Sequence, residues 1–159
     1  MTGPARLEYL NSIFPDAKFI NVVREPTATV NSLLNVPFWQ EQGANQLWWT
    51  GAYSREEEAM FDSIKQDVVA STAFQLNKIL TTTKQEIDRV NADVITVHYE
   101  DFIAKPTAVM NDLLTFCQLD SDRNITQKLD SCQWHNRNNQ GKPGELHSKV
   151  SQWCSPLSF

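Results

Sequence analysis

Two short runs constrain this chain most: Lys18-Phe19-Ile20-Asn21-Val22-Val23 and Asp93-Val94-Ile95-Thr96-Val97-His98. Both are rich in β-branched residues and too short to be helices with a buried stripe. The first is mostly apolar rather than alternating, the pattern of a parallel strand buried on both faces. Helix-opening prolines follow each run, Pro26 after the first and Pro106 after the second. A proline suits the first turn of a helix, where its missing N–H has no partner to lose.

The segments around these strands read as helices. From Ala5 to Phe14, Leu7, Leu10, Ile13 and Phe14 fall at helical spacing, and Pro15-Asp16 marks a turn. The Pro26 helix runs through Leu33 and Leu34, and Val36 to Tyr53 is aromatic and irregular. Ser54 and Glu57 form a capping box, with Met60, Phe61, Ile64, Val68 and Val69 as the buried stripe behind it. An unbroken helix from Ser54 to Val90 would be about 55 Å long. The β-branched run Thr81-Thr82-Thr83 predicts a break there. After Pro106, residues Val109, Met110, Leu113, Leu114 and Cys117 repeat at helical intervals, which places Cys117 in the core. Further helices are expected from Ile125 to Cys132 and from Glu145 to Trp153, with a Gly/Pro/Asn loop between them. Strand, helix, helical crossover, strand, helix is the order of an α/β protein with a parallel sheet.

Bulk properties narrow the function classes. The 159 residues have room for one domain, 1–159, with a core of ordinary size. No apolar run approaches the roughly 20 residues of a membrane span, and Met1 to Arg6 lack a secretory pattern. The expectation is a cytoplasmic protein with no membrane partner. Residues 1–122 hold 9 basic and 17 acidic side chains, whereas residues 123–159 hold 5 and 2. An acidic body argues against nucleic acid as a partner, and the basic tail is either solvated or able to hold one small anion. Cys117, Cys132 and Cys154 form no CxxC pair, and reduced thiols are expected. His98, His135 and His147 lack metal-ligand spacing, so no metal is assigned.

The chemistry concentrates at Val23-Arg24-Glu25-Pro26, with Ser32 eight residues after the arginine. Ligands of open α/β sheets sit outside the carboxyl ends of strands, where Arg24 falls. Its planar fork can donate two parallel hydrogen bonds to a phosphate, and Ser32 could add a hydroxyl from the next helix. The helix start would favour the same anion. An arginine at a strand end also commonly serves as a surface ion-pair partner.

Here the chain resembles the PAPS-dependent sulfotransferases. Pro15-Asp16-Ala17-Lys18-Phe19-Ile20 through Arg24-Glu25-Pro26 is similar to that family's "fPdAkfi…vRdP" segment. Val97-His98-Tyr99-Glu100-Asp101-Phe102 resembles its "YEDL" landmark, and Pro106 with Phe116-Cys117-Gln118-Leu119 its "P…FLGL" ending. The resemblance covers roughly residues 13–120. It implies that Arg24 and Ser32 bind the 3′-phosphate of PAPS or PAP, and that Tyr99 lies against adenine. It also implies that Glu100 and Asp101 are structural rather than acid and base. The family closes this site with a basic glycine loop. Arg137, Gly141 and Lys142 have that chemistry in a different order, so a cofactor loop and an ordinary surface loop are both open readings. Trp39, Trp48 and Trp49 either line an acceptor pocket or cap the core.

The family's Pro-Lys-Ser-Gly-Thr-Thr loop for the 5′-phosphosulfate is not in this sequence, and Met1-Thr2-Gly3-Pro4 stands where its catalytic histidine segment falls. The resemblance therefore implies the C-terminal portion of a P-loop-type parallel sheet flanked by helices, its N-terminal strands missing. The catalytic residue is unknown, and the isolated chain is expected to be weak or inactive. The partners expected are a small-molecule or carbohydrate acceptor and either a homodimer or a complementing N-terminal segment. The readings that follow are a sulfotransferase acting on a hydroxyl or amine, a non-catalytic PAP-binding remnant, or a partner subunit. A nucleotide kinase would need a Gly-x-x-x-x-Gly-Lys-[Ser/Thr] loop, which the sequence lacks.

Overall fold

The computed structural model describes residues 5–49, 51–120, 123–138, 143–155 and 157–159. Helix α1 (Leu7–Ile13) leads into β1 (Lys18–Val23). The crossover runs through α2 (Pro26–Leu34), a π-helical turn at Trp39–Gly43, α3 (Arg55–Ile64) and α4 (Val68–Arg89) to β2 (Asp93–His98). Then come α5 (Tyr99–Ala104), α6 (Pro106–Cys117), α7 (Arg123–Ser131) and α8 (Pro143–Trp153). The two strands pair in parallel, from Lys18 opposite Asp93 to Val23 opposite His98. An Asn21 Nδ2 to Thr96 Oγ1 hydrogen bond of 3.2 Å ties them mid-strand. This is the expected α/β arrangement, a parallel sheet flanked by helices, with two strands among the described residues.

The core lies where α2, α4 and α8 meet. Val30, Ala73, Leu76, Val150 and Cys154 are each 5% exposed or less, with Leu34, Leu80, Leu146 and Trp153 packed around them. Burying a side chain of Val or Leu size contributes about 1.5–3 kcal/mol, which makes this contact the main anchor of α8.

The crossover does not break at Thr81–Thr83. It divides between Ile64 and Val68, and the three threonines lie inside α4. Asp67 decides this, because its carboxylate accepts from the N–H groups of Val69 and Ala70 at 3.0 and 3.1 Å. Such a cap is worth about 1 kcal/mol, whereas a threonine in a helix costs only some tenths. The capping box does form: Glu57 N–H donates to Ser54 Oγ, and Glu57 Oε2 accepts from Ser54 N–H.

Four burial expectations are corrected. β1 is not covered on both faces, since Ile20 and Val22, which share a face by alternation, are 46% and 67% exposed. Cys117 is half-buried and outside the core cluster. Met60, expected in the buried stripe behind the capping box, is 47% exposed, and Phe61 alone of α3 is fully buried. Helix α1 buries Leu7 and exposes Tyr9, Leu10 and Ile13. Polar contacts secure it, with Leu7 N–H donating to Glu86 Oε2 at 2.6 Å and Glu8 pairing with Arg89 at 2.6 Å.

The aromatic stretch is more regular than expected, because it contains the π-helical turn. Trp39 is buried, donates from Nε1 to Thr72 Oγ1 at 2.8 Å and stacks on Trp48. A Cβ at Gly43 would stand 2.5 Å from the Trp39 ring, so glycine is required where the turn folds back. Core cover, rather than pocket lining, describes Trp39.

Candidate phosphate-binding site

Register builds the site. Because Val23 pairs with His98, the next residue of each strand, Arg24 and Tyr99, leave the sheet side by side. The Arg24 guanidinium lies over the Tyr99 ring, 4.7 Å from its centroid. That stacking holds a cation flat on an aromatic face. Arg24 Nε donates to Asn138 Oδ1 at 2.9 Å, and Asn138 Nδ2 donates to Glu100 Oε1 at 2.5 Å. The same Glu100 oxygen accepts from Glu25 N–H at 3.0 Å. Burial alone would push the Glu100 carboxyl up, but these hydrogen bonds prevail and hold it below the usual range. Among the described residues, Arg24 forms no ion pair, and its two Nη groups have no acceptor.

A cleft of about 280 Å³ opens at these strand ends, lined by Arg24, Glu25, His98 and Glu100 with Leu80 and Phe159 among its apolar walls. Its position matches the rule that ligands of open α/β sheets bind beyond the carboxyl ends of strands.

The start of α2 does not serve an anion in the way its sequence suggests. Glu25 caps the helix itself, its carboxylate accepting from Thr27 N–H at 2.9 Å and Ala28 N–H at 2.6 Å. Those amides are therefore taken by the chain's own carboxylate. Ser32 is exposed on α2, its side chain makes no hydrogen bond to a described residue, and it is not among the residues lining the cleft. Arg137 is exposed, and its backbone N–H approaches Tyr99 Oη at 3.5 Å. Gly141 and Lys142 lie outside the described residues. The structure thus brings together Arg24, Tyr99 and the backbone of Arg137. Asn138 was missed by sequence reasoning, because it meets Arg24 across 114 positions of chain with no motif to mark it.

Among the described residues no group of His, Cys, Asp and Glu could hold a metal ion, and no helix is long and apolar enough to cross a membrane. A two-stranded parallel sheet flanked by helices defines an α/β protein, and Arg24 stands at the strand end where such folds bind their ligands. Within that class, residues 4–123 match the model of the sulfotransferase family, and the chain belongs to that family. No curated protein and no solved structure matches it.

The residues present fit a phosphate ester. Arg24 offers unengaged Nη donors on a rigid aromatic platform, and the nearby carboxylates of Glu25 and Glu100 are both occupied by N–H donors. One face of Tyr99 is occupied by Arg24, which leaves only the other for a base.

Proposed function

We propose that this chain holds the 3′-phosphate of PAPS or PAP on Arg24, with the Ser32 hydroxyl and the loop carrying Arg137, Gly141 and Lys142 as further contacts. It serves the transfer of a sulfuryl group to a hydroxyl or amine of a small molecule or carbohydrate. The observation that carries this reading is Arg24 itself, stacked on Tyr99 at the strand end with no carboxylate of a described residue paired to it. Membership of the sulfotransferase family supports it.

When bound, PAPS supplies the activated sulfuryl group. The protein's part is to orient the nucleotide by its ribose phosphate, because placing the reacting atoms accounts for much of the barrier lowered in group transfer. Negative charge that builds on the leaving phosphate calls for additional positioned donors, and the acceptor's proton calls for a base. These 159 residues contain no Pro-Lys-Ser-Gly-Thr-Thr loop to supply the former. That favours a second reading for the chain on its own, a module that holds PAP without turnover.

Calorimetric titration with PAP tests the proposal. Arg24→Ala should weaken binding about 10- to 100-fold, the worth of one or two charge-assisted hydrogen bonds. Equal binding by wild type and Arg24→Ala would refute the placement of the phosphate.

A further inference from the structure

A carboxylate stands close to the arginine assigned to the phosphate. The carboxamide of Asn138 bridges Arg24 Nε and Glu100 Oε1, with 2.9 Å on one side and 2.5 Å on the other. The partners fix which way that amide faces. A guanidinium N–H can only donate and a carboxylate can only accept, so Oδ1 must face Arg24 and Nδ2 must face Glu100. Without the amide, the opposite charges would attract with no group of Asn138 between them, and a direct pair would neutralise the cation from the wrong side. Asn138 reaches this place from the loop after α7, and its backbone N–H donates to Asn136 Oδ1 at 2.9 Å, which helps set its position.

We infer that Asn138 is a positioning residue for phosphate binding: it keeps Glu100 from pairing with Arg24 and pins the guanidinium on Tyr99, leaving both Nη groups to the ligand. This rests on the PAP reading above. Asn138 satisfies both charged neighbours at once, a role that neither an aspartate nor an apolar side chain can fill. An aspartate would itself pair with Arg24 and repel Glu100. An alanine would leave the two charges free to meet.

The test is PAP titration of the whole chain as wild type, Arg24→Ala, Asn138→Ala, Asn138→Asp and the double variant Asn138→Ala/Glu100→Gln, each checked for folding by circular dichroism. Asn138→Ala should weaken PAP on the order of 10-fold, Asn138→Asp more, and the double variant should return to within about 3-fold of wild type. A merely structural role for Asn138 would not be rescued by removing the charge of Glu100. Unchanged or tighter binding by Asn138→Ala or by Asn138→Asp, or a double variant as weak as the single, overturns the inference while Arg24→Ala still loses PAP. If Arg24→Ala binds as wild type does, or wild type does not bind PAP, the phosphate reading fails and this inference with it.

Discussion

Arg24 sits beside two glutamates and pairs with neither. Glu25 caps α2, Glu100 is held by the Glu25 N–H and by Asn138, and the guanidinium rests on Tyr99. Cys154 shows the opposite use of burial at the same scale. It is 1% exposed in the core, and burial, with the Glu25 charge adding to it, pushes its thiol up to about 12. Cys132 is exposed. At pH 8 a thiol reagent should therefore modify Cys132 in the native protein, and Cys154 only after unfolding in denaturant. Native-state labelling of Cys154, read by mass spectrometry, would show that the α2–α4–α8 core is looser than described. The place of Arg24 was legible in the sequence because it follows a strand whose apolar pattern is plain, whereas Tyr99 was singled out only through the family resemblance. Asn138 was not, because its role comes from a contact between distant segments, and asparagine in a polar loop carries no pattern.

Element boundaries followed local chemistry wherever that chemistry was strong. Both strands and the capping box of α3 were predicted to the residue, since β-branched runs and Ser-x-x-Glu act within a few positions. The division of the crossover was misjudged because β-branching at Thr81–Thr83 is a weak penalty and the Asp67 cap a stronger signal. Asp67→Ala should lower stability by about 1 kcal/mol, as cap removal does in other helices. Urea denaturation would measure it, and a midpoint equal to wild type would mean that α4 starts without help from its cap. The burial of each element was less legible than its type. A strand's sequence shows that it can be covered, but only the assembled layers decide whether it is. Ile20 and Val22 are apolar and yet open to solvent.

At the scale of the molecule, that open face is the main departure from what the strand's composition suggests. β1 pairs with β2 on one edge and with no described residue on the other. An apolar strand with a bare edge favours association. Val22→Lys should reduce concentration-dependent association in sedimentation velocity while leaving the thermal midpoint nearly unchanged, because Val22 is 67% exposed. Equal behaviour of wild type and variant would show that this strand does not drive association. The parallel pairing has a further consequence during synthesis. Lys18 meets Asp93 and Val23 meets His98, each across 75 positions, so no local hairpin can start the sheet. A ribosome adding about 5–20 residues per second leaves β1 without its β2 partner for roughly 4–15 s. Through that interval the backbone N–H and C=O groups on that side of Lys18–Val23 lack the ladder that β2 later supplies.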